Sequence, residues 1–184
     1  MEINNTFDVP LPPKDAWKVL LDIERIAPCM PGAELTGKAD SDTYNGKVAV
    51  KLGPVALSFA GQVKFTEIDE ANHKARAKAQ GKDSKGRGGA NAIVDFHLVP
   101  IPAGTQVVVK TDLNLSGAVA QYGRASGLIQ DVASQLIGQF ASCLKSKIAA
   151  NGAAATAAGA PTPISGFVLM FRVLLNAIRR LFGR

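Results

Sequence analysis

AVAQYGRASGLIQDVASQLIGQFASCLKSKIAA, residues 118–150, decides how the rest of this 184-residue chain is read. Ala125, Leu128, Ile129, Val132, Ala133, Leu136, Ile137, Phe140, Leu144 and Ile148 recur at three- and four-residue spacing and share one helical face. Arg124, Gln130, Asp131, Ser134, Gln135, Gln139, Ser142 and Lys145 share the other. A single long amphipathic helix placed after a run of strands needs a sheet to lie on. Gly123, Gly127 and Gly138 interrupt the pattern, each at about 1 kcal/mol relative to Ala. The expected return is either close packing or open volume.

Working outward, nearly everything before this helix alternates with period two. Glu2 to Val9 predicts a first strand, ended by Pro10, Pro12 and Pro13. Pro13 suits the first turn of a helix running from Asp15 to Ile26, which the corner Pro28-Cys29-Met30-Pro31-Gly32 stops. From Ala33 six alternating runs follow, separated at 39–42, 53–54, 69–72, 81–89 and 100–104. Tyr44, Val48, Val50 and Leu52 share a face; so do Leu57, Phe59, Gly61, Val63 and Phe65. Alternating runs joined by short turns predict an antiparallel meander with one wet face. Ala75, Ala77 and Ala79 make one inner face small, and the helix glycines face it in this reading. Small against small leaves either a closer approach of helix to sheet or a ligand cavity.

The hydrophobic fraction is 47% and the charged fraction 20%, a globular composition with room for one domain and an appendage. The net charge is +6, but residues 164–184 hold Arg172, Arg179, Arg180 and Arg184 and no acid. The body therefore carries 6 − 4 = +2, which argues against a nucleic-acid binder. Residues 151–163, NGAAATAAGAPTP, predict a flexible linker. Residues 164–184 predict an amphipathic helix lying in a membrane interface. Phe167, Met170, Phe171, Leu174, Leu175, Ile178, Leu181 and Phe182 would enter the bilayer, and Arg172, Arg179, Arg180 and Arg184 would stay among the headgroups. Spanning would place Arg172 near the bilayer centre at about 2.5–3.5 kcal/mol. Docking in a partner's apolar groove is the alternative. The N-terminus has no charged-then-apolar leader, so the expected location is the cytoplasmic face of the inner membrane, peripherally bound.

Chemistry-bearing motifs are scarce. Cys29 and Cys143 lie far apart with no CxxC, so neither a disulfide framework nor a zinc site is expected. Cys29 sits in an apolar corner, which disfavours a reactive thiolate. His73 and His97 have no partner at a metal or dyad spacing. The 81–89 segment, GKDSKGRGG, lacks the phosphate-loop spacing and reads as a flexible, solvated hairpin. Trp17 reads as core. No catalytic residue and no metal ligand is assigned.

The order strand, short helices, six strands and long C-terminal helix resembles the helix-grip fold of the START-like (SRPBCC) superfamily, an α+β fold with about seven strands around the helix. PPKDAWKVLLDIERIAPCMPGAEL, residues 12–35, is similar to the opening of the carbon monoxide dehydrogenase G-subunit family. Its Cys29-Met30-Pro31-Gly32-Ala33-Glu34 segment and the 117–124 stretch GAVAQYGR, leading into Leu128-Ile129-Gln130-Asp131-Val132, carry the likeness over residues 1–150. The resemblance implies an apolar cavity between helix and sheet and a link to a CO dehydrogenase-type molybdenum hydroxylase. It also suggests a noncovalently bound isoprenoid quinone, ubiquinone or menaquinone. The expected lining is Leu57, Phe59, Val63, Phe65, Phe96, Val109, Leu113, Tyr122, Gly123, Gly127, Leu128, Val132, Leu136 and Phe140, with the long helix as lid. The alternatives are a ligand-free membrane adaptor and a polyketide cyclase-type enzyme.

Overall fold

A computed structural model describes residues 1–52, 55–123 and 126–158. The order is β1 (Glu2–Val9), α1 (Pro13–Leu21), α2 (Ile23–Ile26), a 3-10 turn (Ala27–Cys29), then β2 (Ala33–Asp40), β3 (Thr43–Leu52), β4 (Val55–Asp69), β5 (Lys74–Asp83), β6 (Gly88–Ile101) and β7 (Gly104–Gly117), and finally α3 (Ala120–Gly123) and α4 (Ser126–Ala158). Residues 1–148 form one compact unit. The sheet is one antiparallel array in the order β1-β7-β6-β5-β4-β3-β2. This is the expected α+β helix-grip architecture.

Alternation sets each strand's inner face. Ile3, Phe7 and Val9 on β1 are buried, as are Val107 and Val109 on β7 and Ala75 and Ala77 on β5. The β1–α1 corner is pinned by fully buried Thr105, whose Oγ1 donates to Leu11 O at 2.7 Å. Pro12 and Pro13 start α1 where a missing N–H leaves no bond unmade. Trp17 is core, as the sequence predicts: it packs its ring against Phe96 and the His73 ring.

The packing falls into two apolar clusters. The larger joins β1, α1, the 3-10 turn and the middle of the sheet to Phe140, Ala141 and Leu144 of α4. Phe7 and Phe140 meet edge to face at 5.5 Å. The smaller gathers Leu52, Leu57, Phe59 and Val119, with Tyr122 and Val132 against them.

Four sequence expectations change. First, the long helix is described in two pieces, α3 and α4, with Arg124 and Ala125 outside the described residues; Gly117, at φ +67°, turns the chain out of β7 before α3 begins. Second, α4 continues through Ala158 and takes in 151–158 of the segment read as linker, in keeping with the high helix propensity of alanine. Third, Gly127 and Gly138 do not face the sheet: both are exposed, and a Cβ on either would meet nothing within 4 Å. They stand eleven residues apart, three helical turns, so both lie on the outer face, and nothing in the structure explains their cost. Fourth, Cys29 and Cys143 are bonded to each other, 114 residues apart in sequence. Spacing along the chain carries no signal for a pairing that only folding produces. The 53–54 turn, the remaining 159–163 of the linker and the 164–184 helix lie outside the described residues.

Closing so long a loop restrains the unfolded chain strongly. Reducing the bond, or replacing Cys143 with Ala, should lower the unfolding free energy by about 2–5 kcal/mol in urea titrations. An unchanged midpoint with unchanged slope would show that the bond contributes nothing.

Candidate functional site: an apolar cavity over the sheet

The floor of the site is built from small residues in register. Strand pairing places Gly46 opposite Gly61, Gly61 opposite Gly81, and Gly81 opposite Ala90. The adjacent row pairs Tyr44 with Val63, Val63 with Ala79, and Ala79 with Ala92. A Cβ on Gly61 would run into the Gln80 carbonyl, and its next neighbour, Gly81 Cα, would lie at 2.6 Å. Glycine there permits the sheet to bend as well as leaving its floor low.

Above this floor lies a cavity of about 510 Å³. One end is closed by Phe7, Phe65, Val107 and Val109 of the larger cluster, and the other by Val48 and Phe59 of the smaller. Its roof comes from two places. The α1–α2 corner supplies Leu20, Ile23, Ile26, Ala27 and Met30, and α4 supplies Ile137 and Phe140. Glu34 and Leu35 on edge strand β2 belong to its border and are exposed. Gly32 holds the corner onto the sheet: at φ +74° its carbonyl accepts from Ala49 N at 2.8 Å. The side chains pointing inward are aliphatic, aromatic or absent, and polar residues such as Glu34, Asn45, Lys47, Gln62 and Gln80 sit on the outward phases of their strands. Among the described residues no group of His, Cys, Asp and Glu is arranged to hold a metal.

Of the residues expected from sequence, the structure brings Phe59, Val63, Phe65, Phe96, Val109 and Phe140 to the wall. Leu57 is buried beside Phe59 in the smaller cluster, against which Tyr122 and Val132 pack. Leu113 and Gly123 border a separate depression of about 240 Å³ near Met1 and Asn114. Leu136 is half-buried off the wall, Leu128 is 38% exposed, and Gly127 faces open space. Successive turns of α4 thus serve different neighbours, and among the described residues of α4 Ile137 and Phe140 are the ones that roof the cavity. Tyr44, Val48, Ala77 and Ala79 also line it; strand alternation carries a signal for all four, yet the expected lining omits them. The roof from α1 and α2 has no signal in strand phase.

The 81–89 hairpin corrects a further expectation. It is solvated at its tip, where Ser84, Lys85 and Gly86 are exposed, but pinned at its base. The Asp83 side chain is fully buried and takes Arg87 Nε and Nη2, each at 2.8 Å, as a fork. It also accepts from the backbone N–H groups of Ser58, Lys85 and Arg87, while Arg87 reaches Ala56 O at 3.0 Å. Val119 N donates to Arg87 O at 3.2 Å, which ties this hairpin to the chain entering α3. The Arg87 guanidinium and these N–H groups hold the Asp83 carboxyl far below the usual carboxylate range.

The carbon monoxide dehydrogenase G-subunit (CoxG) family matches residues 6–149. The chain belongs to that family. Its fold is similar to a conserved protein from Geobacillus kaustophilus, at 21% identity and TM-score 0.69, over 81% of this chain and 95% of that one. It is similar also to a protein from Thermus thermophilus, at 14% identity and TM-score 0.58, over 80% and 99%. An aromatase/cyclase from a Streptomyces species matches at 14% identity and TM-score 0.55, over 80% and 92%. No curated protein sequence matches. These structural likenesses establish the shared helix-grip fold.

The low pKa of Asp83 fixes the sign of its pH dependence. Its contribution is complete above the ordinary carboxylate pKa and is lost only as pH falls through the depressed one. Asp83→Asn should therefore lower the melting temperature at pH 7, and at pH 4 the wild type should still keep slow amide exchange at Lys85 and Arg87. Equal melting temperatures would refute the latch.

Proposed function

We propose that this CoxG-family protein carries an isoprenoid quinone, ubiquinone or menaquinone, in its cavity. It would link a CO dehydrogenase-type molybdenum hydroxylase to the respiratory quinone pool. The observation that carries the reading is the open, apolar cavity in a domain of this family. Its volume of about 510 Å³ falls within the range of about 300–1,000 Å³ typical of small-molecule sites. A wall of aliphatic and aromatic side chains, with Tyr44 its one hydroxyl-bearing inward residue among those described, suits an isoprenoid chain, whose transfer from water gains ~0.8 kcal/mol per buried CH₂. A quinone confined to a bilayer cannot reach a soluble enzyme unaided, and a cavity that shelters its tail supplies the missing step.

The non-catalytic adaptor with a closed cavity is disfavoured by the unfilled volume. The cyclase-type enzyme is disfavoured because, among the described lining residues, the inward phases supply no carboxylate and no histidine, and Tyr44 carries the acid/base-capable hydroxyl alone. We therefore assign no reaction to this chain. Partnership with the dehydrogenase is consistent with the name of the family. Tethering rests on residues 164–184: four arginines near an anionic leaflet favour binding by about 1 kcal/mol each. Among the described residues no helix is long and apolar enough to cross a membrane.

Organic extraction of the purified protein should release a quinone, and titration with ubiquinone or menaquinone should saturate one site. No quinone in the extract and none bound on titration would sink the reading. Ala79→Leu with Ala92→Leu should fill the cavity and weaken quinone binding by about tenfold or more, with stability within ~1 kcal/mol of wild type because the added methyls enter a void. Deleting residues 164–184 should release the protein from membranes in a sedimentation assay; continued co-sedimentation would reject the anchor.

A further inference from the structure

The Cys29–Cys143 bond joins the 3-10 turn to α4, and both elements contribute to the roof of the cavity. Ile26, Ala27 and Met30 on the wall flank Cys29 in sequence. Ile137 and Phe140 on the wall precede Cys143 within two helical turns. Among the described residues, the other polar tie between these walls is one exposed hydrogen bond, Lys147 Nζ to Arg25 O at 3.3 Å. The polar ties from Gln130 and Ser134 run to β1 instead. The rest of the grip is side-chain packing by Phe140, Ala141, Leu144 and Ile148. The sheet beneath is hydrogen-bonded in register from β1 to β2 and does not pass through the bond.

We infer that the disulfide is a thiol-sensitive clasp on the cavity. Bridged, it holds α4 against the corner and slows exchange of an apolar ligand. Opened, it lets the two roof elements part locally while the sheet stays folded. The inference rests on the carrier reading and adds its regulation.

The electrons come from a dithiol reductant. Its thiolate attacks Sγ of Cys143, because Cys143 is half-buried whereas Cys29 is 3% exposed. The S–S bond breaks, a mixed disulfide forms on Cys143, and Cys29 leaves as a thiolate that takes a proton. The reductant's second thiol then displaces Cys143, which also takes a proton. Two electrons have moved: the protein holds two thiols and the reductant one disulfide. Exchange with an oxidised dithiol reverses both steps.

The test uses the full chain and cis-parinaric acid, an apolar chain that fluoresces when sheltered from water. Its release into excess competitor is followed for oxidised protein, for dithiothreitol-treated protein, and for the double variant Cys29→Ala/Cys143→Ala. Reduction and the double variant should each speed release by about tenfold or more, as expected when opening of one local unit becomes easier. Reoxidation should restore the slow rate in wild type, and dithiothreitol should leave the double variant unchanged. Amide exchange should rise at 26–30 and 137–148 and stay slow in β4–β6. Equal release from oxidised and reduced protein that both bind parinarate overturns the clasp and leaves the cavity reading standing. Uptake by neither form overturns the cavity reading and the clasp with it. Cooperative unfolding on reduction also overturns the clasp, since the bond would then be a global staple. If the double variant does not fold, wild type with and without dithiothreitol reads the same rates.

Discussion

The cavity depends on a mismatch of side-chain size across one sheet. At its two ends, large residues meet what lies above them: Phe7 touches Phe140, and Phe59 joins Leu52, Leu57 and Val119. Between them the floor is Gly46, Gly61, Gly81, Ala79, Ala90 and Ala92. The helix is carried at a height that the bulky contacts set, and the small floor cannot rise to meet it. Close packing is the rule for protein interiors, and forgoing it over this area removes dispersion contacts from every atom of the lining. A bound apolar molecule would restore them.

Two local devices keep the walls of this space in place. At one end, Asp83 and Arg87 lock the β5–β6 hairpin to β4 and to the chain entering α3. The pair is buried on the carboxylate side, and its lone pairs are nearly all used, which is the condition under which a buried charge is tolerated. At the other end, Gly32 fastens the Pro-bounded corner to β3, and Cys29 fastens the same corner to α4. The corner is therefore both a piece of cavity roof and the point where the roof's two halves are joined.

Much of the fold is legible in the sequence. Strand boundaries follow from Gly, Pro, Asp and Asn punctuation, and the inner faces from period-two alternation, because each strand has one wet side. The alanine phase of β5 narrows the choice to a closer approach of helix to sheet or a cavity, and only the structure selects the cavity. The helix is less legible: its apolar stripe is wide, and a wide stripe does not say which turn meets which neighbour. That stripe assigns Leu128, Val132, Leu136 and Phe140 to the wall; Phe140 is there, but its companion from α4 is Ile137. The 81–89 segment misleads because its composition is that of a solvated loop, and a four-residue Asp–Arg spacing in a turn announces its fork only once the hairpin has closed.

By itself, the amino-acid sequence determined what periodicity and punctuation can encode: seven strands, the short helices, the long helix and the family resemblance. These are properties of neighbours along the chain. Only the tertiary structure decided the rest. It set the Cys29–Cys143 bond, the roof drawn from α1, α2 and α4, the outward turn of Gly127 and Gly138, and the alignment of Gly46, Gly61 and Gly81 into one low floor. Each of these depends on register and distance between segments far apart in sequence, and those are fixed by the packing of the whole domain.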